Sequence, residues 1–134
     1  MRSSALFIAL AVVAAAPVSA ATPQHKDGEA ALQSLLEGRV AGKPVSCLSM
    51  PTLGSSEVIE GTAIVYRSGA KLYVNRPRSD AKWLHSDDIL LTRSFGGQLC
   101  SIDTVYLLDR GSHTTRGFVT LGDFVPYERV RAAK

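Results

Sequence analysis

A small, mainly β domain carrying one short N-terminal helix is the fold this sequence predicts, and three observations predict it. Helical spacing of apolar residues occurs at Leu32, Leu35 and Leu36 and is not sustained afterwards. From residue 45 onward the apolar residues come in short runs broken by Gly, Pro, Ser and Asp. Val58 to Arg67 and Lys71 to Asn75 flank Ser68-Gly69, the strongest hairpin signal in the chain. Together these give roughly six to seven short antiparallel strands in a single barrel or sandwich, with no internal repeat and no low-complexity stretch.

The chain opens on Met1-Arg2-Ser3-Ser4 and then ALFIALAVVAAA. One positive charge precedes about twelve apolar residues, short of the roughly 20 that a bilayer span needs. Pro17 and Val18-Ser19-Ala20 follow, the small-residue cleavage site of a secretory signal peptide. Residues 1–20 therefore read as a signal peptide cut after Ala20, with Ala21 as the second choice and an uncleaved anchor as the competing reading. Residues 21–26 form a flexible start to the mature chain, and residues 27–134 form a single β domain.

Within that domain Asp27 is placed to cap a helix over residues 28–37, with Glu29 in its first turn and Gly38 at its stop. A helix of that length is marginal alone, so its leucine stripe is expected to dock on the β core. Val45 to Met50 is the next element, ended by Pro51. If Ser68-Gly69 is the hairpin loop, Val65 faces Leu72 and Ala63 faces Val74, with Ile64 opposite Tyr73 on the other face. Both faces are then apolar, as in a central hairpin. Ile89 to Thr92 and Ile102 to Leu108 follow, separated by Gly96-Gly97. A tight turn at those glycines sets Arg93 against Cys100, an unfavourable register, so a bulge or wider loop is expected. Phe118 to Leu121 and Phe124-Val125 close the fold, with Pro126 confining the last to a sheet edge.

Cys47 and Cys100 both lie in the exported part, where an oxidising compartment favours a disulfide. Two separate buried thiols and a redox pair are the alternatives. Redox pairs are usually built as C-x-x-C, which this spacing is not. The 15 Lys and Arg against 12 Asp and Glu, with Arg2 lost at cleavage, form no basic stripe, so a nucleic-acid partner is not expected. GRVAGKPVSC, Gly38 to Cys47, and RGFVTLGDFVPY, Arg116 to Tyr127, resemble segments of small secreted bacterial proteins of uncharacterised function. The resemblance implies a bacterial exported protein and transfers no catalytic residue.

Chemistry-bearing residues are sparse. There is no G-x-S-x-G elbow. His85-Ser86-Asp87-Asp88 offers metal-ligand side chains close together, but it precedes an apolar strand and reads better as a turn whose side chains bond their own backbone. His25 falls in the flexible start, and His113 in a polar loop. Arg76, Arg78, Lys82 and Trp83 are the candidate partner-contact loop, three cations beside the only Trp in a connection too polar for core. The plainer alternative folds Trp83 back onto the core. The function expected is that of a periplasmic or secreted, non-enzymatic binding or structural domain of the cell envelope. Its partner would be an envelope component or another exported protein, with no cofactor and no metal. A small hydrolase or metal-dependent enzyme, with His85 or His113 facing carboxylates in a pocket, is the second reading. A secreted enzyme inhibitor with a rigid loop near the disulfide is the third.

Overall fold

The computed structural model describes residues 23–131 of the chain. The signal peptide expected at residues 1–20, and its cleavage after Ala20, lie outside them. Helix α1 runs Pro23–Leu36 and so starts earlier than the expected residue 28. Proline suits a first turn, where its missing N–H would have had no partner. Asp27 therefore lies inside the helix and does not cap it. Gly38, with φ 72°, follows its end.

Among the described residues ten strands follow, not six or seven, in three antiparallel sheets that do not close into a barrel. They are β1 Arg39–Ala41, β2 Cys47–Ser49, β3 Ser55–Ile59, β4 Ala63–Ser68, β5 Lys71–Asn75, β6 Ile89–Thr92, β7 Gln98–Cys100, β8 Thr104–Leu108, β9 Thr115–Thr120 and β10 Phe124–Arg129. Two of them, β1 and β7, are too short to show a period in the sequence. A third arises because the run from Val58 is cut by a turn at Glu60-Gly61-Thr62, where Gly61 has φ 60°. The sheets order as β1-β10-β5-β4-β3, β6-β8-β9 and β2-β7.

The five-stranded sheet is the middle layer. On one face Ala63, Val65, Leu72 and Val74 bury against Leu32, with Leu35 and Leu36 packed beside them. On the other, Ile64, Tyr66 and Phe124 meet Leu48, Leu99, Val105, Leu107 and Val119 from the two smaller sheets. The expectation that both faces of the β4–β5 hairpin are apolar is thus met. The turn itself is Gly69-Ala70, not Ser68-Gly69, so Val65 pairs with Val74 and Tyr66 with Tyr73. Gly69 supplies the positive φ, 58°, that this turn needs at its first central position. A slip of two residues leaves every side chain on its expected face.

β10 is not an edge strand, although it contains Pro126. It lies between β1 and β5, and the Pro126 carbonyl accepts the Gly42 N–H at 2.7 Å just past the end of β1. N–H and C=O of one strand residue point the same way, so the missing N–H falls beyond β1 and the β5 ladder loses nothing.

Cys47 and Cys100 are direct partners on β2 and β7 and form the disulfide, with Cα atoms 4.0 Å apart. The neighbouring pair carries the hydrogen bond, Ser101 N–H to Ser46 C=O, so the cysteines occupy the narrow, non-hydrogen-bonded position. Because β7 is taken by β2, β6 passes it and pairs with β8, Leu91 opposite Tyr106. Gly96 and Gly97, both at φ 72°, lie in the wider loop that permits this.

Candidate functional site

Asn75 ends β5 fully buried, and its amide clamps Gly122: Nδ2 donates to the Gly122 carbonyl at 2.6 Å and Oδ1 accepts the Gly122 N–H at 3.1 Å. The clamp fixes where the chain leaves the sheet to form the loop at 76–83. Arg76, the first residue of that loop, turns away to α1, where its guanidinium meets both oxygens of Glu29. Arg78 donates its backbone N–H to the Thr120 carbonyl, at 2.9 Å, and Ser79 makes a single bridge to Thr120, so the loop is stitched to the free edge of β9.

Asp80 then takes a left-handed conformation, φ 62°, which Asp tolerates better than most side chains. Its carbonyl accepts the Trp83 N–H and opens a short 3₁₀ turn, Ala81–Trp83. The turn sends Leu84 into the core and leaves Trp83 52% exposed. Trp83 does not fold back as a lid. Lys82 Nζ stands 5.5 Å from the centre of its ring, within cation–π range. Of the four predicted contact residues, the structure brings Lys82 and Trp83 together, leaves Arg78 exposed nearby on the chain, and commits Arg76 to an ion pair with the helix.

His85 to Asp88 forms a turn, as its composition suggests. The Asp88 side chain is 1% exposed; Oδ2 accepts the His85 N–H at 2.9 Å and Oδ1 meets the Arg116 guanidinium. His85 Nδ1 lies 3.4 Å from Glu60 Oε1, and Glu60 Oε2 accepts the Ser86 N–H. Among the described residues the His85 ring has no hydroxyl or thiol partner, and no three His, Cys, Asp or Glu side chains converge as a metal site. His113, at φ 55°, sits exposed in a loop organised by Asp109, whose carboxylate accepts the N–H groups of Gly111 and Ser112 and the Ser112 hydroxyl. These bonds hold the Asp109 carboxyl below the usual carboxylate range.

Two features have no sequence-level expectation behind them. Leu91, Tyr106 and Phe118 are direct cross-strand neighbours on the outer face of β6-β8-β9, all exposed. The Tyr106 and Phe118 rings are 6.3 Å apart and Arg93 lies over Tyr106 at 6.0 Å. This row ends at β9, the strand on which the Trp83 loop is mounted. The second is a cleft of about 350 Å³ between β3 and β6, the free edges of their sheets, lined by Met50, Leu53, Leu90, Leu99 and Tyr66. The runs ILLT and TVYLL show no polar alternation, a signal from which an apolar outer face could have been read. Comparison with family models, with curated proteins and with solved structures finds no match to this chain.

Proposed function

We propose that the mature chain is an exported, non-enzymatic binding domain of the cell envelope that meets an anionic partner through Lys82 and Trp83, with Arg78 beside them. The observation that carries the reading is the mounting of Trp83. A short 3₁₀ turn presents its ring, half exposed, with a cation over it, while Leu84 next to it anchors the turn in the core. Large aromatic side chains held this way contribute disproportionately to interfaces, and Lys and Arg favour an anionic surface. Export is supported by the Cys47–Cys100 disulfide, which persists in oxidising compartments, and by the signal-like residues 1–20. Among the described residues no helix is long and apolar enough to cross a membrane.

Two measurements test this. Intact mass of the protein recovered from periplasm or medium is expected to place the first residue at Ala21 or Thr22. A mass retaining Met1 to Ala20 in that fraction overturns export. Binding of the purified mature chain to isolated envelope is expected to weaken as salt rises, because exposed charges are screened over about 8 Å at physiological ionic strength. Trp83→Ala and Lys82→Ala should weaken it further while leaving the melting temperature nearly unchanged. Binding indifferent to salt and to both substitutions would remove the loop from the interface.

A further inference from the structure

The sandwich is open on one side. β3 is the last strand of the five-stranded sheet and β6 the first of the three-stranded one, and neither pairs with the other. The cleft between them reaches the core, since Leu99 and Tyr66 on its wall are buried. Its volume lies at the lower end of small-molecule sites, about 300–1,000 Å³. Its wall carries no charged side chain; Ser55, Ser56 and Thr92 are among its polar residues.

Tyr66 is 5% exposed, packs edge-on against Phe124 with ring centres 5.8 Å apart, and its hydroxyl finds no hydrogen-bond partner among the described residues. A phenol in a folded protein is satisfied by a protein partner, by water or by a ligand, and Tyr66 lacks the first. Burial also pushes the Tyr66 phenol up in pKa, which keeps it a neutral donor across the physiological range. A buried, unsatisfied donor beside an apolar cleft is the arrangement by which small-molecule sites fix the orientation of an otherwise apolar guest.

We propose that the cleft between β3 and β6 is a binding site for a free, neutral, single-chain lipophile with one hydrogen-bond-accepting head, the apolar body lying against Met50, Leu53, Leu90 and Leu99 and the head taking the Tyr66 hydroxyl, which has no open surface in the free fold and is reached by a small shift of the side chains that cover it. The head is neutral because nothing on the wall compensates a buried ion. A single chain is what a cleft of about 350 Å³ admits. This site is separate from the Lys82–Trp83 loop and stands or falls without it.

Decanol is the probe, titrated into the mature, disulfide-bonded chain and followed by displacement of a neutral fluorescent naphthylamine and by backbone amide shifts. Saturable binding is expected, with shifts confined to β3, β6, Tyr66 and Leu99. Decanoate and decylammonium should bind about tenfold more weakly or worse, since their heads would be buried as ions. Tyr66→Phe keeps the ring and removes the donor; it should weaken decanol about fivefold to tenfold, the measure of one neutral hydrogen bond, without lowering the melting temperature. Ser56→Trp, an exposed position on the β3 edge, should block entry and leave the fold intact. The proposal is overturned by absence of saturable binding to the wild-type chain, by equal binding of decanol to Tyr66→Phe, or by shifts that fall elsewhere. A melting temperature lowered by Tyr66→Phe would overturn it too, because the hydroxyl would then already be bonded in the free protein.

Discussion

Removing the Cys47–Cys100 bond is the perturbation with the clearest expected size. The two cysteines are 53 positions apart, and closing a loop of that length in the unfolded chain gives about 4 kcal/mol of stabilisation in the chain-entropy model. The folded state offers little to add or subtract, because the pair already sits at a directly opposed position between β2 and β7. Without the bond those strands keep Leu48 and Leu99 in the core, together with the Ser101–Ser46 and Met50–Gly97 backbone hydrogen bonds on either side. Cys47→Ser is therefore expected to leave the fold recognisable but to cost up to about 4 kcal/mol, much of a small domain's total stability. For a domain of this size that is a fall in melting temperature of roughly 15–20 °C. Urea unfolding of Cys47→Ser, Cys100→Ser and the double variant should give one common loss, since a single bond disappears in each. Losses that add in the double variant, or a loss below about 1 kcal/mol in any of them, would refute the reasoning.

Other perturbations follow from single contacts. Gly28→Ala should destabilise by about 1–3 kcal/mol despite a helix-propensity gain of about 1 kcal/mol, because the new Cβ would lie 2.0 Å from Thr62 Oγ1 and 2.3 Å from the Glu60 carbonyl oxygen. Stabilisation would mean that α1 stands further from the β3–β4 turn. Asn75→Ala leaves the buried Gly122 N–H and C=O unpaired and should cost about 3 kcal/mol in chemical denaturation, with amide exchange rising at the start of the 76–83 loop. Asp109, with its carboxyl held low by Ser112 and Gly111, should titrate below the ordinary value of about 3.9 in carboxyl NMR. Its contribution is complete above the ordinary value and fades as pH falls through the lowered one, so Asp109→Asn should flatten the acid side of the stability profile. A midpoint at or above the ordinary value would contradict the loop geometry.

The parts of the fold that were legible in the sequence are those where a local pattern and the tertiary environment agree. Leu32, Leu35 and Leu36 announced both a helix and the face it buries. Val65, Leu72, Ile64 and Tyr66 announced a hairpin covered on both sides, and a turn displaced by one residue did not disturb that, because the displacement moved the register by two. What could not be read is long-range. Arg39–Ala41 has no pattern of its own and is a strand only because β10 offers it an edge. Pro126 misled because a missing N–H matters only on the side where a partner would have used it. Of the candidate loop, Trp83 and Lys82 stood out by composition, but lid and exposed ring were both open until the turn at 81–83 placed them, and the claim of Glu29 on Arg76 spans helix and loop and left no local trace. The Leu91–Tyr106–Phe118 row needed the strand order β6-β8-β9 before its members became neighbours.

The place of β10 in the middle sheet also sets the order in which the molecule can be finished. β1 is made early and has no strand partner until the chain has been synthesised through Arg129, and β5 lacks its second partner for the same interval. Contacts between the two ends of the sequence must therefore form late, the kind of non-local pairing that slows folding. Until then the growing chain presents an unfinished sheet. Shortening the chain before Phe124 would remove the strand that joins β1 to β5, together with the fully buried Phe124, so a clipped form should lose far more than an edge strand.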